Sequence, residues 1–275
     1  MKTAFNILPE RTENEQLHLL VEAGNYGISF IWFTKDPHTI KGISVYDFTG
    51  NNSCGEIADI IGKILQSDSL LTALNASVTV CYDFKESLLV PEVYYKPATA
   101  RAMLELVYAD DTDCTYKTEA VRSLPVYNVY TFNKKTEEIL TGYFSQASFH
   151  HATSLQLARV PAQGIYCIFF HNNMKVFLFK ESSLQLVQQF QYNTPVDVTY
   201  HLLTSCYQHN IKPSEVNLLL SGMIDGHSKL YTEICRYFLN IEFENTETGI
   251  ELNDRIKFYP AHFFSHLIRL TSCVS

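Results

Sequence analysis

Twice along the chain, three short strands are followed by a capped helix, a strand and a further helix. In the first passage Leu17 to Glu22, Gly27 to Thr34 and Gly42 to Phe48 read as strands. The period then changes, with Ile57, Ile60, Ile61, Ile64 and Leu65 at helical spacing. Ser53 and Glu56, three apart, form a capping-box signature ahead of them. Ser77 to Asp83 alternates as a strand through Val78, Val80 and Tyr82. Leu88 to Tyr95 reads as one more strand and Ala98 to Tyr108 as a helix. In the second passage the strands are Gly164 to Phe170, Lys175 to Lys180 and Leu184 to Tyr192. Thr194, Pro195 and Asp197 then supply an N-cap, a first-position proline and an acid for a helix running to about Gln208. Val216 to Leu220 is an apolar strand, and Tyr231, Ile234, Cys235 and Phe238 mark one face of another helix.

This repeat of order, without repeat of letters, predicts a duplication. Three consecutive short strands meander antiparallel, and the long helix after them brings the fourth strand back parallel. The expected class is α/β, two similar halves each with a mixed sheet and flanking helices. The halves are expected at residues 1–150 and 151–275. Asp110 to Thr118 is polar and reads as a loop. Thr136 to Thr153 is expected to bridge the halves, with Leu140, Tyr143 and Phe144 as a short helical face.

Composition narrows the function classes. Hydrophobic residues make up 46% and charged residues 18%, ample for a core and opposite to a disordered chain. The net charge is 21 − 29 = −8, and Lys134-Lys135, the densest basic point, is followed by Glu137-Glu138. Nucleic acid is therefore not expected as a partner. Met1 to Gln16 lacks the apolar core of a signal peptide, and runs such as Ile165 to Phe170 are too short to span a bilayer. Seven scattered cysteines without a CxxC predict free thiols and a cytoplasmic setting.

Three stretches carry a resemblance: Ser87 to Pro91 (SLLVP), Phe190 to Asp197 (FQYNTPVD) with Tyr200 to Leu203 (YHLL), and Leu218 to Tyr231. In their order and spacing the chain resembles a bacterial family of degenerate actin-like proteins, a domain family of unassigned function. The plan of two like halves resembles the duplicated actin-like ATPase fold, related to the ribonuclease H fold. Val216 to Tyr231 (VNLLLSGMIDGHSKLY) looks like the strand, glycine turn and helix at its adenosine edge. Assembly proteins of type IV pili and type II secretion share this plan; some bind ATP and others are scaffolds, so fold alone transfers no function.

The resemblance implies where a nucleotide would sit. An active member clamps phosphates with two hairpin turns, one per half, each holding an Asp followed by glycines whose absent side chains admit backbone N–H groups to the phosphates. Here the first turn reads Glu22-Ala23-Gly24-Asn25, keeping an acid and a glycine. The second reads His171-Asn172-Asn173-Met174-Lys175, without either. At the adenosine edge Gly222 is followed by Met223 where the family pattern has a second glycine. The resemblance thus implies that Glu22, Gly24 and Gly222 would line the cleft between the halves.

Other constellations have plainer readings. Gly50 to Gly55 has P-loop glycine spacing, but Glu56-Ile57 follows where Lys and Ser/Thr are needed. Asp111, Asp113 and Glu119 lack the central glycine of a calcium loop. His262 and His266 share a helical face with no third ligand, so packing is expected in place of metal. Asp197 stands where a helix cap needs it. The expectation is a non-catalytic pseudo-ATPase scaffold with a protein partner, no resident cofactor and no metal. The alternative is an ATP-sensing protein that binds ATP and magnesium with little or no hydrolysis.

Overall fold

A computed structural model describes residues 2–10, 15–48, 53–67, 70, 71, 73, 75–108, 113–159, 161 and 163–274. The chain divides into two compact units. The first comprises Met1–Ala158, Gly249–Ile256 and Leu270–Ser275, and the second Arg159–Thr248 and Lys257–Arg269.

The first unit opens with β1 (Lys2–Ile7), β2 (His18–Gly24), β3 (Gly27–Lys35) and β4 (His38–Asp47), then α1 (Cys54–Ser67) and β5 (Ser77–Asp83). β6 (Ser87–Pro91), α2 (Pro97–Glu105), β7 (Cys114–Ala120) and β8 (Val126–Asn133) follow. α3 (Lys134–Tyr143), β9 (Ser148–His151) and α4 (Ala152–Gln156) complete this stretch. The main sheet has the order β1-β4-β3-β2-β5-β9. β4, β3 and β2 are antiparallel, whereas β5 runs parallel to β2 and β9 parallel to β5. One face is apolar: Leu19, Val21, Ala23, Phe30, Trp32, Val80 and Tyr82 pack beneath Ile57, Ile61, Ile64 and Leu65 of α1 and Leu140 of α3. Strand alternation sends every second residue to that face, and the 3.6-residue period of α1 presents one stripe to it. The cap of α1 forms as expected: Ser53 N–H donates to Glu56 Oε2 at 2.7 Å and Glu56 N–H to Ser53 Oγ at 3.4 Å.

The second unit contains β10 (Gly164–Phe169), β11 (Asn173–Lys180), β12 (Ser183–Gln191), α5 (Pro195–Gln208), β13 (Asn217–Gly222), α6 (Lys229–Ile234) and β14 (Asn240–Phe243). Its sheet order is β12-β11-β10-β13-β14, with β13 parallel to β10 and β14 parallel to β13. This is the order β4-β3-β2-β5-β9 of the first unit, so the duplication is present in topology and strand direction. Ile165, Cys167, Phe169, Met174, Val176 and Leu178 pack against Val198, Leu202 and Cys206 of α5. Thr194 and Asp197 make the reciprocal capping box that starts α5.

The chain then gives β15 (Glu251–Leu252), parallel to β4 of the first unit, followed by α7 (Asp254–Lys257) and α8 (Ser265–Cys273). Among the described residues no helix is long and apolar enough to cross a membrane.

Several readings change in the first unit. β6, β8 and β7 form a separate three-stranded sheet in that order, with α2 packed on it through Ala100 and Leu104. The strand expected over Leu88 to Tyr95 stops at Pro91 and turns into a short 3-10 helix, Glu92–Tyr94. The helix of Ala98 to Tyr108 therefore belongs to this inserted sheet. The counterpart of α6 is α3, which lies between β5 and β9 as α6 lies between β13 and β14. Residues read as a bridge between halves are thus core, with Leu140 fully buried and Phe144 nearly so. The polar segment read as a loop yields β7, whose Thr115, Lys117 and Glu119 alternate with Tyr116 and Thr118 on a half-buried strand. The mixed-charge N-terminus forms β1.

Candidate functional site

In open sheets with parallel strands, ligand chemistry gathers beyond the carboxyl ends of those strands. In the first unit these ends belong to β2 and β5. Glu22 pairs with Cys81 and Gly24 with Asp83 in parallel register. Glu22 is 5% exposed and Asp83 7%, so two carboxylates stand at the carboxyl ends of two central strands, on the face opposite α1. Burial and then the charge of Glu22 push the Cys81 thiol far up, which makes it an inert neutral group. Gly24 is fixed by packing: a Cβ there would lie 3.0 Å from the Asp83 carbonyl carbon and nearer still to its oxygen. The turn that follows is braced by Asn25, whose Oδ1 accepts from Lys85 N–H at 2.8 Å. Burial raises the nearby Glu86, partly offset by Lys85 and Asn25.

The corresponding turn of the second unit is Phe170-His171-Asn172-Asn173, between β10 and β11. It closes on itself and on Tyr192. Phe170 N–H donates to Asn173 O at 2.8 Å, and Tyr192 N–H to Asn172 O at 3.0 Å. The Tyr192 hydroxyl donates to Phe170 O at 3.0 Å, and burial pushes its pKa up to about 12, so it stays a donor. The Asn173 carboxamide is 1% exposed, and neither its nitrogen nor its oxygen has a hydrogen-bond partner among the described residues. Two residues on, Lys175 is buried on the same face of β11, its ammonium 5.6 Å from the Phe177 ring centre.

Gly222 ends β13 with φ +81°, and a Cβ there would come within 2.8 Å of Phe169 N and closer to its oxygen. The close approach lets Met223 N–H donate to Phe169 O at 2.7 Å. Behind it lies a buried polar cluster. Glu244 pairs with Arg269 through one oxygen; through the other it accepts from Tyr166 at 2.7 Å and Ser265 at 2.6 Å. Ser265 Oγ is 2.7 Å from Ser221 Oγ, which is 3.3 Å from His266 Nδ1. His262 Nε2 donates to Ile224 O at 2.7 Å. Every charge in the cluster is matched, as burial requires.

Of the residues singled out in the sequence, Glu22 and Gly24 come together on β2, and Gly222 belongs to the second unit. His262 and His266 take up backbone and serine partners. Among the described residues no group of three or more His, Cys, Asp or Glu could hold a metal ion. Gly50 to Asn52 of the P-loop-like spacing, and Asp111, lie outside the described residues. Glu119 of the calcium-loop reading is a clamp: Glu119 Oε1 accepts from His151 N–H at 2.8 Å. Sequence reasoning missed Asp83, Asn173, Lys175 and the Glu244–Arg269 pair. An acid closing a strand alternation signals the first, and a lysine inside an apolar strand signals Lys175. The pair, 25 residues apart, carries no local signal.

A family model described as "Protein of unknown function (DUF3822)" matches residues 9–241. Among curated proteins nothing matches significantly. Among solved structures, one from Bacteroides thetaiotaomicron VPI-5482, described as a protein with actin-like ATPase fold and unknown function, is similar at TM-score 0.75 and 15% identity. The match covers 96% of this chain and 99% of that one. A chain of the PilM-PilN type IV pilus biogenesis complex is similar at TM-score 0.63 and 12% identity, covering 97% of this chain and 100% of that one. These likenesses show the actin-like ATPase fold.

Proposed function

We propose, for a chain that belongs to the DUF3822 family of proteins of unknown function, that it is a non-catalytic member of the actin-like ATPase fold and works by binding another protein. The observation that carries this reading is the β10–β11 turn. Its backbone is engaged internally and with Tyr192, and it offers neither an acid for a metal nor a glycine for close approach to phosphate. Gly24 and Gly222, the two glycines that would otherwise argue for a nucleotide, have packing reasons of their own. The PilM neighbour is known from a complex with a second protein, which agrees with a scaffold role. Seven free cysteines agree with a reducing, cytoplasmic setting.

A second reading, ATP binding without hydrolysis, is favoured by one observation: the buried, unpartnered Asn173 carboxamide stands at the turn where a phosphate oxygen would need a donor. Thermal unfolding with and without millimolar ATP and magnesium separates the two. A ligand present at a hundred times its dissociation constant adds about 2.7 kcal/mol, which raises Tm measurably. The scaffold reading expects no change. A rise that disappears in Asn173→Ala overturns it in favour of the second.

A further inference from the structure

The buried cluster of the second unit holds a serine, a histidine and an acid, the residue types of a nucleophilic site, but its protons run the other way. A serine has one hydroxyl proton to give, and a carboxylate only accepts. Ser265 Oγ stands 2.6 Å from Glu244 Oε2 and 3.2 Å from the His262 carbonyl, so it donates to the nearer, charged oxygen. The Tyr166 hydroxyl donates to the same oxygen, and Arg269 pairs with the other. With its proton committed, Ser265 can only accept from Ser221 at 2.7 Å. That contact takes the Ser221 proton in turn. The 3.3 Å approach of Ser221 Oγ to His266 Nδ1 is then a hydrogen bond only if the ring donates.

Donation therefore passes from His266 Nδ1–H to Ser221, to Ser265 and to Glu244. All four side chains are buried, none more than 4% exposed, so partners inside the protein decide where these protons lie. His262, one helical turn earlier, supplies the contrast. Its Nε2 lies 2.7 Å from Ile224 O, a carbonyl that can only accept, so His262 carries its proton on Nε2. Neighbouring rings in one segment are thus held in opposite neutral forms.

We propose that Glu244, acting through Ser265 and Ser221, is a positioning residue that holds His266 in the Nδ1–H form and makes Nε2 its proton-accepting atom. The partner of one ring nitrogen sets the protonation of the other, and here that partner is a chain ending on a carboxylate. The same polarity sets Ser221 aside as a nucleophile, because an activated serine gives its proton to the ring. What the chain prepares is the histidine. Its ring stands edge-on to Phe170 of the β10–β11 turn, the centres 5.8 Å apart. Any group that gives His266 a hydrogen bond or a proton does so at Nε2.

Nuclear magnetic resonance of the full chain, with histidine labelled in nitrogen-15, tests this. The two-bond couplings from ring carbon-bound protons to the nitrogens distinguish the two neutral forms. Signals are assigned by their loss in His262→Gln and His266→Gln and recorded on the alkaline side of each titration, where the rings are neutral. The wild type is expected to show His266 protonated on Nδ1 and His262 on Nε2. Ser265→Ala leaves Ser221 able to donate to the ring, and Ser221→Ala removes the acceptor. Each should move the ratio of the two His266 forms toward Nε2–H by about fivefold, the worth of one ordinary hydrogen bond, with His262 unchanged. Should one variant fail to fold, the other decides. A wild-type His266 protonated on Nε2 overturns the direction of the chain, and a ratio that neither serine variant moves overturns Glu244 as its cause. Ring protonation is the readout, so the result is independent of whether the chain binds nucleotide or another protein.

Discussion

Gly222 shows how one residue can carry a family signature for reasons of packing alone. Its φ of +81° and the nearness of Phe169 exclude a side chain whatever the site beyond it does. Gly222→Ala should therefore cost about 1–3 kcal/mol, read as a lower urea midpoint, in the presence or absence of any nucleotide. Glu244 and Arg269 make a different point at the same scale. Breaking a buried pair leaves an uncompensated charge, so Arg269→Met should destabilise by about 3–5 kcal/mol. The double variant Arg269→Met with Glu244→Gln should recover part of that loss in the same urea titration. A single variant with wild-type stability would mean that Glu244 finds another partner.

Among the elements, the inserted sheet β6-β8-β7 depends on a few polar ties to the rest of its unit. Asn128, fully buried on β8, accepts from Ser87 Oγ at 2.7 Å and donates to Ser154 Oγ of α4 at 3.0 Å. Asn128→Ala should cost about 1–3 kcal/mol, with amide exchange rising first in β7 and β8. Glu119 on β7 supplies a second tie. Burial raises its pKa, but hydrogen bonds from His150, Ser154 and the His151 N–H outweigh burial and hold the carboxyl below the usual range. Its contribution is complete above the unfolded-state pKa and is lost as pH falls through the lower folded-state value. Urea midpoints measured down the acid range should fall more steeply for the wild type than for Glu119→Gln; parallel curves would remove Glu119 as the cause. This inserted sheet was also the least legible part of the sequence. The duplicated strands announce themselves because one face is packed and the alternation is clean, as in Ser77–Asp83, and both capping boxes read correctly from Ser53 with Glu56 and Thr194 with Asp197. β7 is half-buried on both faces, so Thr115, Lys117 and Glu119 look like a loop. Helix α3 reads as a bridge in the sequence because only Leu140 and a few neighbours distinguish it from a polar connection. At the candidate site, the turns could be read in order from the letters, but the packing of Gly24 on Asp83 and the burial of Asn173 depend on strands 59 and 18 residues away, at Asp83 and Gln191.

For the molecule as a whole, the chain returns to its first unit after building the second. β15 pairs with β4, His38 Nε2 lies 2.9 Å from Thr271 Oγ1, and Leu270 and Thr271 are fully buried. Deleting the residues after Arg269 should therefore loosen the first unit: hydrogen exchange should rise in β3 and β4 while β10, β11 and β13 keep their protection. Uniform loss across both units would contradict this.

The same return sets a timetable on the ribosome. His38 is made 233 residues before Thr271, a wait on the order of ten to fifty seconds at ordinary elongation speeds. All five strands of the second sheet have been synthesised by Phe243, so that sheet can close while the first is still missing its last pieces. The unit begun first is completed after the other: once Phe243 is made the second sheet has all its strands, while the first still waits for β15 and Leu270.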